Sequence, residues 1–161
     1  MGIEIEDDAV KMVFDDSGGH PRLARLLSSA AYKHREGKVT ITKEDYLKGV
    51  DWLQEEDGGI DDFIRENVWM HVSELERKVL GFCSSKEGIK SAVIDSNNNS
   101  ESNIHTTQVE LSEFEPVEFG TLKEARQHLL ATGVLETLDN KSIRAKGNLL
   151  REWIRNNDLT S

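Results

Sequence analysis

The stretch DDSGGHPRLARLL, Asp15 to Leu27, holds the residues best placed to do chemistry. Gly18, Gly19 and His20 lead into Pro21, one of two prolines in the chain, and Arg22 follows directly. A proline in the first turn of a helix sacrifices no hydrogen bond, because its missing N–H has no intrahelical partner there. An arginine at the same place can turn a planar, bidentate guanidinium toward a phosphate or carboxylate. His20 reads either as a ligand contact or as a solvated loop residue. Arg25, three residues after Arg22, reads as a surface or ion-pair residue of the same helix.

No catalytic set accompanies this stretch. His20, His34, His71, His105 and His128 are scattered, and none pairs with Cys83 or a serine at nucleophile spacing. The single cysteine permits neither an internal disulfide nor a thiolate zinc site, so no metal site is expected. Cys83 lies in the apolar run KVLGFCSS and is expected to be a buried small hydrophobe of a reducing cytoplasm. The acidic pairs at 15–16 and 61–62 read as solvated helix ends, and no acidic run has the order of a calcium-binding EF-hand loop. No stretch approaches a membrane span, and the acidic start has no signal-peptide pattern. With 20 basic and 30 acidic residues the net charge is −10, which works against broad, non-specific nucleic-acid binding.

Helices must position these residues. Hydrophobic content of 37% with 31% charged residues suits a helix-rich chain, and only 6% aromatics leaves the core to Leu, Ile, Val and Ala. Residues 6–16 predict a helix with Val10, Val13 and Phe14 inward, stopped by Ser17-Gly18-Gly19. Pro21 opens a second, about 21–35, with Leu23, Leu26, Leu27 and Ala30 inward and Gly37 as its C-cap, followed by a loop. Thr42 and Asp45 predict the cap of a third helix at about 43–56, burying Tyr46, Leu47, Val50 and Leu53. A fourth helix is expected over IDDFIRENVWMHV, Ile60 to Val72, carrying Ile60, Phe63, Ile64 and Trp69. Ser73 and Glu76 form the capping-box pattern of a fifth, with Leu75, Val79, Leu80 and Phe82 inward. SKEGIKSAVI reads as a short helix. Ser91 to Gly120 contains no lysine or arginine, and within it DSNNNSESN reads as a flexible loop and HTTQVELSEFEPVEF as a strand or extended acidic segment. Thr121 and Glu124 cap a further helix ending at Gly133. Val134 to Ile143 reads as a hairpin turning at Asp139–Lys141. GNLLREWIRNN is a final amphipathic helix.

The sequence therefore predicts a mainly α fold: a helical bundle at 1–71, then a winged helix-turn-helix with a small β-hairpin wing at 72–161, interrupted by an acidic insertion at 95–119.

Four phrases in this order carry a family likeness. SGGHPRLARLL resembles the sensor 2 region of the lid in AAA+ ATPases of the origin-recognition and STAND type. ITKEDYLKGV resembles the start of the next lid helix. WMHVSELERKVL and GNLLREWIRNN resemble the start and end of the winged-helix domain that follows. The likeness implies a lid fused to a winged helix and nucleotide sensing by Arg22, with Gly19 and Pro21 near the base and His20 as a further contact. Glycines let backbone approach a flat base, and the proline ring offers an apolar contact to adenine. The likeness also implies ATP or ADP with Mg held elsewhere. No Gly-x-x-x-x-Gly-Lys-Ser/Thr is present, since Gly37-Lys38 is followed by Val39. The chain is thus expected to be a non-catalytic, regulatory piece of a larger ATPase whose nucleotide-binding domain is its partner.

Two rivals come from other classes. As a DNA-binding regulator, the chain would place helix 121–132 in the major groove and the wing on phosphate. Lys123, Arg126, Lys141, Arg144 and Lys146 would be the contacts. As a protein-binding module it would use 95–119. Residues 121–161 hold seven basic and five acidic side chains, a net of only +2.

Overall fold

The structure, a computed structural model, describes residues 2–55, 58–90, 93–94 and 120–157. It is mainly helical, with short strands. The chain divides into two compact units, Met1–Ile64 with Gly147–Leu150, and Arg65–Lys146 with Arg151–Ser161.

In the first unit, helices α1 (Asp7–Ser17), α2 (Pro21–His34) and α3 (Lys43–Gln54) supply the framework. Their core is Leu23, Leu27, Ala30 and Ala31 of α2 against Tyr46, Gly49 and Leu53 of α3. Helices α2 and α3 approach closely because small residues meet: a Cβ on Gly49 would lie 2.7 Å from the carbonyl carbon of Ala30. The start of α3 has both halves of a capping box. Thr42 Oγ1 accepts from Asp45 N at 3.3 Å, and Asp45 Oδ2 accepts from Thr42 N at 2.9 Å.

Four expectations change here. The ends of the second-helix loop and the N-terminus are strands: β1 (Glu4–Ile5) pairs in parallel with β2 (Thr40–Ile41), Glu4 opposite Thr40. The inward face of α1 is Ala9 and Ser17, whereas Val10 and Phe14 are exposed, Phe14 by 67%. Helical spacing identifies a stripe, and small residues turned out to suit the close side. Leu47 likewise faces out at 41%. Helix α2 ends through Arg35 as its C-cap, and Glu36, not Gly37, is the first left-handed residue, at φ 56°.

The second unit contains α5 (Glu74–Phe82), β3 (Ile89–Lys90), α6 (Leu122–Ala131), β4 (Leu135–Thr137) and β5 (Ser142–Ala145). Helix α4 (Ile60–Asn67) precedes it, followed by a 3-10 turn at Trp69–His71 that ends the expected long fourth helix early. The last helix, α7 (Asn148–Asn156), buries Leu149, Leu150, Trp153 and Ile154. Within the short helix expected over 85–94, Ile89–Lys90 is instead strand β3, while Val93 and Ile94 are helical. Strand β3 completes an antiparallel sheet of order β3-β5-β4, in which Ile143 on the central strand lies opposite Ile89 on one side and Thr137 on the other.

Helices α5 and α6 pack through Val79, Leu80, Ala125 and Leu129, all nearly inaccessible. Phe82 instead stays 39% exposed. Ser73 and Glu76 complete the second capping box, and Glu76 also reaches His128 Nδ1 at 2.5 Å, joining α5 to α6. At α6 the reciprocal half of the box shifts by one residue: Glu124 Oε2 accepts from Gly120 N at 2.9 Å. Its C-terminus is a Schellman motif, with Val134 N donating to Leu129 O and Gly133 N to Leu130 O. The extended segment expected within 95–119 lies outside the described residues.

Candidate functional site

Ser17 to Arg22 form a tight turn built from two successive left-handed glycines, Gly18 at φ 60° and Gly19 at φ 76°. Side chains are disfavoured in that region, so the glycines allow the sharp change of direction. Gly19 N donates to Ser17 Oγ at 3.2 Å, and His20 N to Ser17 O at 3.1 Å. His20 is the N-cap of α2, its Nδ1 accepting from Leu23 N at 3.3 Å. The ring therefore does the work usually given to a serine or aspartate. This third use of His20 was not apparent in the sequence, since histidine is an uncommon cap.

Pro21 occupies the first turn, and both Pro21 and Arg22 are exposed. No acidic residue lies in the first turn of α2, so the partial positive charge of the helix start is not offset locally. Behind the turn, Asp16 is held by two donors: Tyr46 Oη at 2.6 Å and Asn148 Nδ2 at 3.0 Å. Burial and the bond to Asp16 push the Tyr46 hydroxyl well above its ordinary range. Gly147 sits so close that a Cβ would lie 2.9 Å from Asp16 O and Gly18 N. The turn is thus backed by hydrogen-bonded groups, while Pro21 and Arg22 are exposed. Such an arrangement can offer an apolar ring and a guanidinium to a nucleotide held by another domain.

The five candidate DNA contacts are distributed unevenly. Lys123 is exposed on α6, and Lys141 is exposed in the hairpin turn at φ 63°. Lys146 is half-buried just beyond β5. Arg144 binds Glu136 Oε1 at 2.6 Å and donates to Lys86 O at 2.9 Å. Arg126 is buried to 8% exposure, and its charge acts on the buried thiol of Cys83. The helix that would be read as the groove reader thus turns its arginine inward.

Two further charged groups were not singled out by the sequence. Lys90 on β3 reaches Asn140 O beside the hairpin turn. Arg151 is buried, donates to Ala145 O at 2.7 Å and lies 3.9 Å from Glu136. The sequence signal for Lys90 was the alternation in GIKSAV, which fits a strand as well as a helix.

Among the described residues, no three His, Cys, Asp or Glu come together in a group that could hold a metal ion. No helix among them is long and apolar enough to cross a membrane. No family model, curated protein or solved structure matches the chain.

Proposed function

We propose that this chain is the non-catalytic lid and winged-helix region of an AAA+/STAND-type P-loop ATPase, coupling nucleotide state to domain docking. The observation that carries the reading is the exposed Pro21–Arg22 pair at the start of α2, on a glycine-built turn. The helix, strand, helix, hairpin, helix order of the second unit supports a winged helix after the lid. Nucleotide bound by the core would supply the phosphate charge. In this chain, Arg22 would meet that charge, Pro21 and Gly19 would lie near the base, and His20 would hold the helix start in place. A ligand that contacts one lid position more strongly than another biases a two-state element, which is the minimum for a switch. The buried, unpaired cysteine agrees with a cytoplasmic location within the same reading.

The test uses the parent polypeptide with its nucleotide-binding core. Arg22→Ala is expected to lower ATP turnover by about tenfold or more, as loss of a guanidinium aimed at phosphate does. The chain alone should bind a fluorescent ATP analogue no tighter than about millimolar, a fragmentary site having few contacts. Unchanged turnover in the Arg22 variant, or a parent without a P-loop, overturns the reading.

A second reading, a DNA-binding winged-helix regulator, is favoured by the grouping of Lys90, Lys141, Arg144 and Lys146 on and around β3 and β5. It predicts duplex binding that weakens steeply with salt and is lost on Lys141→Glu. A third role, a protein contact through 95–119, concerns residues outside those described.

A further inference from the structure

Residues 17 to 35 contain no aspartate or glutamate, in a chain with 30 acids against 20 bases. Helix α2 converts this local imbalance into a line. Arg25, Ser29, Tyr32 and Lys33 are all exposed, and their spacing of four, three and one residues keeps them on one side of the helix. Leu23, Leu27, Ala30 and Ala31 occupy the buried side. The rise of an α-helix sets Arg25 and Lys33 about 12 Å apart along the axis.

The line is partly pre-arranged. Lys33 Nζ sits 4.0 Å from the centre of the Trp52 ring. The Arg35 guanidinium lies 3.5 Å over the Tyr32 ring and donates to Tyr32 O at 3.0 Å and Lys38 O at 3.0 Å. Tyr32 nevertheless keeps 44% of its surface exposed. These contacts restrict side chains that would otherwise lose rotamer freedom on binding.

We infer that this side of α2 is a docking surface for a short acidic segment of a partner protein. Its carboxylates meet Arg25 and Lys33, and an apolar side chain lies against Tyr32. The length of the line selects this occupant over nucleic acid. Asp15 and Asp16 stand just before it in the chain and Glu36 just after it, and the whole chain carries −10. A long polyanion running past either end meets like charge, whereas a short acidic peptide does not. The assignment does not use Arg22 and stands whether or not the ATPase reading holds.

The probe is a fluorescein-labelled synthetic peptide, Glu-Glu-Leu-Glu-Phe-Glu-Glu, titrated with the full chain by anisotropy. Saturable binding is expected to weaken about fivefold between roughly 50 and 300 mM salt, as screening of exposed charges requires. The double variant Arg25→Glu with Lys33→Glu should weaken it by about tenfold or more, and Tyr32→Ala by about threefold. The charge-retaining exchange Arg25→Lys with Lys33→Arg should bind within about twofold of the original, which separates charge from folding. Lys123→Glu with Lys141→Glu, in the other unit, should also stay within about twofold. Unchanged affinity in the Arg25/Lys33 reversal overturns the assignment. So does equal binding of the peptide with Gln for Glu, or tighter binding of an oligothymidylate strand through the same residues.

Discussion

Asp45 is fully buried yet carries charge. Hydrogen bonds from the backbone and side chain of Thr42, together with Lys38, hold its carboxyl below the ordinary aspartate range against the opposing effect of burial. A depressed folded value means that the charged form stabilises the fold at pH values above the unfolded range of about 4, and that this contribution fades as pH falls through the folded value. Asp45→Asn should therefore cost about 1–2 kcal/mol at pH 7. Urea unfolding curves of the two proteins should draw together as the pH is lowered from the unfolded range through the depressed folded value; a gap that does not narrow counts against the charge as its source. Cys83 presents the opposite case, a thiol pushed up to about 12 by burial. In the folded chain it should react with an aromatic disulfide reagent at pH 8 only as fast as the chain opens, and denaturant should accelerate the reaction. Prompt stoichiometric labelling without denaturant is the contrary result.

The close approach of α2 and α3 and the hairpin turn set the sensitivities of the elements. Gly49→Ala forces a methyl group against the Ala30 backbone, which cannot swing aside, so a loss of about 1–3 kcal/mol is expected. A denaturation midpoint equal to that of the parent chain contradicts this packing. Lys141 adopts a left-handed conformation in the hairpin turn, so Lys141→Gly should raise stability by about 0.5–1 kcal/mol. Thermal unfolding reads that change, and a lowered midpoint speaks against the turn geometry. Legibility in the sequence followed the range of the interactions. Thr42, Ser73 and Thr121 announced helix starts because a cap is completed within three residues. Strands β1 and β3 are two residues long, and their partners lie 36 and 52 or more positions away, so nothing local marked them. The 18–22 turn was legible because two glycines and a proline leave few backbone alternatives. The burial of Arg126 was not, since helical spacing alone does not say which stripe faces the core.

Over the whole molecule, exposed apolar side chains and charge act in opposite directions. Ile3, Ile5, Val10 and Phe14 are 44–67% exposed. Phe14→Ser removes surface that is already in water, so stability should change by no more than about 0.5 kcal/mol. Binding of an apolar dye should fall in the same variant, and a large loss of stability would place Phe14 in a core after all. The net charge of −10 keeps such surfaces apart near neutral pH, and that protection weakens toward the pI of about 5.0. Light scattering should accordingly rise as the pH is lowered to 5, and less so in the Phe14 variant.

The three tryptophans give the molecule its own optical labels. Trp69 and Trp153 are buried edge to face with ring centres 5.3 Å apart, flanked by Arg77 and Arg65. Their emission should be blue-shifted, and their coupled transitions should mark the near-ultraviolet dichroism. Trp52 is only half-buried and lies beneath the ammonium of Lys33. Anything that draws Lys33 away changes the quenching of that one indole, so occupancy of α2 can be followed by intrinsic fluorescence without a dye.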